Sequence, residues 1–307
     1  MSYSDSTQRT HMYSLFFAPR GYVRMANLGM QIAQQYLSPF DKLIGVLGDS
    51  GSGKSMIIKG MFPGLELTND DGGVNVRPLP LMDIEEGGFY NAHTYHLDIR
   101  FESAFYQMHA LAEAIMTAVE MGKRVIVEHF DLVYPALPVN AQLLIGVGEE
   151  IIVTRPNLFG PEPGDIRDIV FKSGVYRRMA HSAEDLCELV LKDFSDDPYE
   201  HADVRHGFVL SFSQKPDVDL EALEAKVKEY IDKDLGISYQ DDTHVHIGDI
   251  SHYCTGPRVH MKSTGEIENF QLHKEFLQDP VTNRYLLVGL IGPGANQKIG
   301  DLNKIVM

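Results

Sequence analysis

The chain is poor in cysteine, in basic residues and in long apolar runs. Its 307 residues include two cysteines, Cys187 and Cys254, too few for a disulfide framework and typical of the reducing cytosol. The formal net charge of -16 argues against a broad electrostatic grip on phosphate backbones, although it leaves room for a local basic pocket. No stretch approaches the roughly 18 unbroken apolar residues of a membrane span, and residues 1–12 lack the pattern of a signal peptide. These features predict a cytoplasmic protein without a membrane partner.

The length and apolar content predict two domains. Hydrophobic residues make up 44% of the chain, and a domain usually has about 100–200 residues. Strands alternate with helices before the proline-rich run Pro156–Pro163, which predicts an α/β domain with a parallel sheet covered by helices on both faces. The pattern after that run predicts an α+β domain. We therefore expect a leader and helix over residues 1–40, one domain over 41–163 and a second over 164–307.

The most specific motif is a glycine-rich loop between a predicted strand, Leu43–Leu47, and a predicted helix, Ser55–Met61. The loop reads Gly48-Asp49-Ser50-Gly51-Ser52-Gly53-Lys54-Ser55. This spacing and context are those of a P-loop, whose backbone N–H groups and helix N-terminus bind phosphates. Lys54 would reach the terminal phosphates and Ser55 would bind Mg²⁺. The motif predicts binding of ATP or another nucleoside triphosphate; the alternative is a chance glycine-rich turn.

Three acidic residues are candidates for further roles beside this loop. Glu128 and Asp131 follow the predicted strand Arg124–Val127, where a second Mg²⁺-holding carboxylate normally lies. Asp83 follows a predicted strand at Val74–Met82 and is expected to face the crevice outside the strand ends. As a general base, it would accept a proton from an attacking hydroxyl. The alternative for each acid is a helix cap or a solvated loop.

The chain from Leu43 to about Pro163 resembles the uridine-kinase and phosphoribulokinase branch of P-loop kinases. The resemblance is carried by the glycine-rich loop, by Asp83 with Gly88-Phe89-Tyr90 after it, by the run His96–Glu102 and by the run Gly122–Asp131. It implies a kinase-like activity in which Asp83 is the base and Arg155 or Arg167 clamps the transferring phosphoryl group. A clear run of lid arginines, which the family has, is missing from this sequence.

The second half contains a candidate zinc site. Cys254 and His260 flank a glycine-containing turn, and thiolate and imidazole are ligands that Zn²⁺ prefers. His181 and Asp185 lie four apart on a predicted helix and therefore share a face. The four residues would form a tetrahedral shell, or three would bind beside a water. Chance spacing among 13 histidines and a cysteine buried as a small hydrophobe are the alternatives. The runners-up for the fourth ligand are Glu184 and His252, whereas structural roles are favoured for His244 and His246.

Residues from about Gly174 to Gly289 resemble the second additional domain shared by alanyl- and threonyl-tRNA synthetases and free-standing editing deacylases. Arg177–Leu186 is similar to its first motif, which carries two histidines four apart on a helix. Ile247–Cys254 through Thr264–Ile267 is similar to its second, a Cys and a His flanking a glycine turn before Thr-Gly-Glu-Ile. Asp185 replaces the second histidine, and the Cys-to-His gap is two residues longer. The resemblance implies a Zn²⁺ site and metal-dependent deacylation of aminoacyl-tRNA or of a related aminoacyl small molecule.

Three functions follow from the two halves. The first is an ATP-dependent, kinase-like enzyme coupled to an editing-type domain. The second is a nucleotide-dependent regulatory protein whose degenerate editing domain senses a small molecule or RNA. The third is a small-molecule kinase, for a nucleoside-like acceptor, whose second half shapes the acceptor pocket.

Overall fold

The computed structural model describes residues 11–65, 67 and 93–304, which divide into two compact units. The first unit contains the described residues before Phe17 together with Val23–Lys172, and the second contains Phe17–Tyr22 and the chain from Ser173. The sequence predicted a boundary after Pro163, but Pro163 begins a 29-residue helix, and the division lies inside that helix. Proline is well tolerated at the first turn of a helix, because it has no N–H that needs a partner there.

The first unit is built on a six-stranded sheet. The strands are β1 (Tyr13–Phe17), β2 (Leu43–Leu47), β3 (Thr94–Asp98), β4 (Arg124–Glu128), β5 (Leu143–Val147) and β6 (Glu150–Thr154). They lie in the order β1-β6-β5-β2-β4-β3. Strands β2, β3, β4 and β5 are parallel, whereas β6 is antiparallel to β5. The sheet is therefore mostly parallel rather than wholly parallel, since the short turn after β5 leaves no room for a crossover helix. The region 1–40, predicted as a leader and a helix, also contributes β1 to the sheet.

The helices of the first unit agree in part with the prediction. They are α1 (Tyr22–Tyr36), α2 (Lys54–Met61), α3 (Ile99–Glu102), α4 (Met108–Glu120), α5 (Phe130–Val133) and the start of α6 (Pro163–Leu191). The apolar residues at helical spacing over Phe101–Met121 predict a single helix there. Instead, Asp98 caps a single turn by accepting from the N–H groups of Arg100 and Phe101, and α4 begins afresh after Gln107, which is extended.

The sheet of the first unit is buried on both faces. Leu43 and Leu47 of β2 belong to a core that also contains residues of α4 and α6, among them Ile115 and Val170. Ile44 and Val46, which alternate with them along the strand, are also fully buried. This burial explains why β2 is apolar without interruption, as strands of covered parallel sheets are.

The second unit combines helices with antiparallel sheets, as the α+β prediction required. One sheet contains β7 (Tyr199–Val204), β8 (Gly207–Phe212), β12 (Gln271–Leu272), β13 (Leu277–Gln278) and β14 (Tyr285–Leu290). The other contains β9 (Ile237–Asp241), β10 (His244–Ile247) and β11 (Ile250–Tyr253). The rest of α6 and α7 (Leu220–Asp232) share one core with β8. None of the helices in the described ranges has both the length and the apolarity needed to cross a membrane.

Candidate functional sites

The glycine-rich loop joins the carboxyl end of β2 to the start of α2. Gly53 precedes α2 in a left-handed conformation (φ 93°). Gly48 also has a positive φ (149°), and a Cβ there would lie 2.6 Å from the Val147 carbonyl oxygen and 2.7 Å from Ser52 Oγ. Both positions therefore require glycine. The first N–H groups of α2 and the positive end of its dipole lie at this loop, an arrangement that favours anions.

Lys54 and Ser55 both meet Glu128 at the end of β4. Because β4 is the parallel neighbour of β2, the carboxyl ends of the two strands coincide. Lys54 is buried; its Nζ donates to the Asp49 carbonyl at 2.9 Å and lies 3.7 Å from Glu128 Oε2. Ser55 Oγ donates to Glu128 Oε1 at 3.0 Å. Of the two predicted carboxylates, Glu128 is thus the one that contacts both Lys54 and Ser55.

His96 completes the surroundings of Glu128, with its Nε2 3.1 Å from Glu128 Oε1. Burial opposes ionisation of Glu128, but the hydrogen bond and charge of His96, followed by the charge of Lys54, outweigh it and lower the pKa of the carboxyl. Burial lowers the pKa of Lys54 against the attraction of Glu128. Glu128 therefore keeps its negative charge beside the Ser55 hydroxyl, as a cation site requires. Sequence reasoning did not single out His96 as a partner of Glu128, although it lies two residues before Asp98 and so on the same face of β3.

Asp98 and His129 lie close to Glu128, and ligand atoms of the three residues are all within 4.8 Å of one another. His129 has a left-handed backbone (φ 56°), which is strained for a residue with a side chain and is common at functional sites. Burial, Lys54 and Arg100 lower its pKa to about 4, so its ring is neutral near pH 7.

Glu102 is a titratable group that sequence reasoning did not single out. It lies on α3, is 3% exposed, and burial together with the charge of Asp98 raises its pKa to about 7. A carboxyl that titrates near neutral pH is suited to general acid–base chemistry. Nothing in the local sequence distinguishes it from a solvated acid, because its burial comes from the tertiary fold.

Asp131 and Arg167 lie together at the start of α5 and on α6, with Asp131 Oδ2 3.8 Å from Arg167 Nη1. Asp131 does not belong to the group of Asp98, Glu128 and His129. Burial raises the pKa of Asp131 against the attraction of Arg167. The predicted base, Asp83, lies outside the described residues, as does its predicted strand.

Arg155 is not brought to the loop, which contradicts its predicted role as a phosphoryl clamp. It follows β6, whose last residue, Thr154, pairs with Leu144 near the start of β5. Its Nη1 lies 2.7 Å from Asp41 Oδ1, and its Nη2 donates to the Tyr36 carbonyl. Asp41 precedes β2 whereas the loop follows it, so Arg155 lies at the opposite edge of the sheet, roughly 16 Å away for a five-residue strand. The antiparallel turn into β6 causes the difference.

The structure brings together the four residues of the predicted zinc site. Ligand atoms of His181, Asp185, Cys254 and His260 all lie within 4.8 Å of one another. Cys254 Sγ is 3.3 Å from His181 Nε2 and 3.8 Å from His260 Nε2, and His260 Nε2 is 2.8 Å from Asp185 Oδ2. One thiol, two imidazoles and one carboxylate at these separations suit a tetrahedral shell with bonds of about 2.0–2.3 Å.

The turn between Cys254 and His260 packs closely against the backbone of Arg20. His181 and Asp185 lie on α6, and Cys254 follows β11. Between Cys254 and His260, Gly256 packs so tightly that an added Cβ would collide with the Arg20 carbonyl oxygen and lie 3.3 Å from His181 Nε2. The Gly256 N–H donates to Cys254 Sγ at 3.2 Å, which stabilises a thiolate at this position.

Glu184, one of the runners-up for the fourth ligand, contacts His181 on the side of the ring that faces away from Cys254. Its Oε2 lies 3.2 Å from His181 Nδ1 and accepts from Arg20 Nε at 2.9 Å. A carboxylate at this position would hold the proton on Nδ1 and leave the Nε2 lone pair for a metal, which is the arrangement usual for metal-bound histidines. Arg20 comes from the N-terminal segment Phe17–Tyr22, in which Ala18 and Pro19 also accept hydrogen bonds from Arg177.

The electrostatics of the cluster suit a cation. Burial opposes ionisation of Asp185, but the charge of His181, together with the hydrogen bond and charge of His260, outweighs it and lowers the pKa of Asp185 to about 2. Burial, then the nearby Asp185 carboxylate, raises the pKa of the Cys254 thiol, and burial lowers that of His260. A divalent ion would reverse the penalty on the thiolate, since a coordinated thiol is deprotonated. The remaining runner-up, His252, lies beside Glu188 and outside this four-residue group.

His244 and His246 share a face of β10, as predicted, and His244 Nδ1 lies 3.0 Å from Asp241 Oδ1.

Comparison with protein-family models finds no family that matches the chain, and comparison with curated proteins finds no match either.

Proposed function

We propose that the chain is a kinase-like enzyme that binds a Mg²⁺–nucleoside triphosphate in its first unit and Zn²⁺ in its second. The observation that carries the first half is the meeting of Lys54, Ser55 and Glu128 at the glycine-rich loop. In this proposal Lys54 contacts the terminal phosphates, whereas Ser55 and Glu128 hold Mg²⁺, which neutralises phosphate charge during transfer.

The acceptor hydroxyl needs a proton acceptor, and two carboxyls are candidates. Asp83 is the one that the resemblance implies. Glu102 is favoured by the pKa of about 7 that burial and Asp98 give it. Arg100, on the same helical turn, lies 3.8 Å from Asp49 Oδ1 of the loop and supplies positive charge on this side. The acceptor proposed is a small hydroxylated molecule of nucleoside type.

The second half of the proposal is supported by the donor set of the four-residue cluster. Three of the side chains of His181, Asp185, Cys254 and His260 would hold Zn²⁺ and leave its fourth position open, where the ion would act as a Lewis acid on an ester carbonyl or on water. Glu184 keeps the tautomer of His181 suited to binding. The substrate class is an aminoacyl ester, either on tRNA or on a related small molecule.

The nucleotide half is tested by titration calorimetry with Mg²⁺–ATP and by release of ADP in the presence of candidate nucleosides. We expect binding by the wild type, clearly weaker binding by Lys54→Ala, and normal binding by the matched control Lys59→Ala on the same helix. Absence of binding by the wild type would refute this half. Binding without any ADP would favour the nucleotide-dependent regulatory function instead.

The zinc half is tested by metal analysis and by deacylation of mischarged tRNA and of aminoacyl esters. We expect bound zinc that is lost in Cys254→Ser and in His260→Ala. Zinc binding without deacylation would indicate a sensing domain, and protein free of zinc after reconstitution would contradict the site.

A further inference from the structure

A second group of metal-ligand side chains lies next to the proposed zinc site. Ligand atoms of Asp185, Glu188 and His252 all lie within 4.8 Å of one another, and the three residues are buried. Asp185 and Glu188 are three apart on α6 and four and seven residues after His181, so all three share one face of the helix. His252 approaches that face from β11. Asp185 thus belongs to both groups.

His252 is the observation that points to a ligand. It is 2% exposed, and within the described part of the chain neither of its ring nitrogens has a hydrogen-bond partner. Its Nε2 is directed at Glu188, 4.0 Å from Oε2, which is too long for a hydrogen bond. A buried imidazole without partners is costly, and an ion between it and the carboxylates would satisfy it.

The charges around Glu188 support the same conclusion. Three carboxylates, Glu184, Asp185 and Glu188, follow one another within little more than one turn of α6. Arg20 pairs with Glu184, whereas the ion-pair partners of Asp185 and Glu188 are histidines. Buried carboxylates are normally paired with cations or coordinate metals.

Glu188 is also held in a fixed position. Its Oε2 accepts from the Tyr199 hydroxyl at 3.1 Å, whereas its Oε1, 3.3 Å from His201 Nδ1, has no hydrogen-bond partner among the described residues. A partner of this kind orients a carboxylate toward a metal. A further group, Glu184, Glu188 and His201, also has ligand atoms within 4.8 Å of one another. It is the weaker candidate for a metal, because Glu184 is already paired with Arg20.

We propose that a second divalent ion binds to Asp185, Glu188 and His252, so that the carboxylate of Asp185 is shared between two metals. The proposal rests on the zinc site proposed above. Two carboxylates and an imidazole, without a thiolate, suit Zn²⁺ or Mn²⁺. In this arrangement the aspartate that replaces a histidine of the editing motif gains a role that an imidazole does not fill, because a carboxylate has two oxygens with which to bridge. Paired metals of this kind stabilise both the attacking and the leaving oxygen of a displacement.

The test is the metal stoichiometry of full-length protein reconstituted with Co²⁺, read by metal analysis and by absorption. The wild type is expected to hold two ions per chain, one of which gives a thiolate-to-Co²⁺ charge-transfer band. Glu188→Gln, which keeps the side-chain volume, and His252→Ala are expected to hold one ion and to retain that band. His246→Ala, on the adjacent strand, is the matched control and should hold two.

Further variants separate this proposal from the first zinc site. Cys254→Ser should lose the charge-transfer band, and Asp185→Asn should weaken binding of both ions. One ion with the band in the wild type, or two ions in both Glu188→Gln and His252→Ala, would overturn the second site and leave the first intact. A wild type without bound metal would overturn both sites. Thermal unfolding of each variant shows that a lost ion does not reflect a lost fold.

Discussion

Replacing Lys54 with methionine removes the ammonium group from the glycine-rich loop while keeping an unbranched, apolar side chain of similar length. In the structure Lys54 is buried with its Nζ 3.7 Å from Glu128 Oε2. If Lys54 contacts phosphate, the variant loses one charge-assisted hydrogen bond, worth about 1.5–3 kcal/mol. Since about 1.4 kcal/mol is a factor of ten, we expect the affinity for Mg²⁺–ATP to fall by about 10- to 150-fold.

The same substitution should destabilise the fold less than the loss of one partner of a buried ion pair usually does. Removing one partner of a buried pair usually costs about 3–5 kcal/mol, but Glu128 keeps its contacts with Ser55 and His96. Burial also disfavours the charge of Lys54 and lowers its pKa, so removing that charge relieves a penalty. These effects partly cancel, and we expect the free energy of unfolding to change by less than about 2 kcal/mol.

Titration calorimetry with Mg²⁺–ATP measures the first quantity and urea unfolding the second. Lys59→Met, on the same helix, is the control for loss of a lysine near the loop. The reasoning is refuted if Lys54→Met binds nucleotide within twofold of the wild type, or if Lys59→Met weakens binding equally.

Three other predictions concern residues outside the loop. Burial raises the pKa of Glu102 to about 7 from 4.5, so its contribution favours the folded state below pH 4.5 and is lost as pH rises to about 7. Glu102→Gln should remove this pH dependence from the free energy of unfolding measured in urea, and the rate of any phosphoryl transfer should no longer rise near pH 7. Arg155→Ala should destabilise the protein by about 1–3 kcal/mol, because buried Asp41 loses its arginine partner, with nucleotide affinity unchanged. A larger loss of affinity than of stability would support the role of Arg155 as a phosphoryl clamp. Gly256→Ala should destabilise by at least about 1–3 kcal/mol and lower zinc content, because its Cβ collides with the Arg20 carbonyl; normal zinc content would contradict the tight turn.

The parts of the fold that depend on local pattern could be predicted from the sequence. The buried strand before the glycine-rich loop and the helix after it lie where the pattern placed them, since glycine spacing and apolar runs act within about a dozen residues. The zinc cluster required more, because Cys254 is 73 residues from His181. Only the resemblance to the editing motifs, together with helical spacing, indicated that these residues meet.

Other features depend on tertiary contacts that local sequence does not encode. Strand β5 (Leu143–Val147) was missed, and its antiparallel neighbour β6 was expected to be parallel. Because β6 runs antiparallel, Arg155 lies at the end of the strands opposite the glycine-rich loop. The roles of His96 and Glu102 likewise come from strand neighbours and burial, neither of which changes the local pattern of apolar and polar residues.

The segment Phe17–Tyr22 has a consequence for the order in which the second unit is completed during synthesis. This unit is discontinuous: Arg20 supplies the ion pair to Glu184, 164 residues later, and Ala18 and Pro19 accept from Arg177. The segment leaves the ribosome long before its partners do, so the second unit cannot close until most of the chain has been made. A recombinant fragment that begins at Ser173 would leave Glu184 without its arginine. Excising this unit intact therefore requires a fusion or a circular permutant that carries Phe17–Tyr22 along.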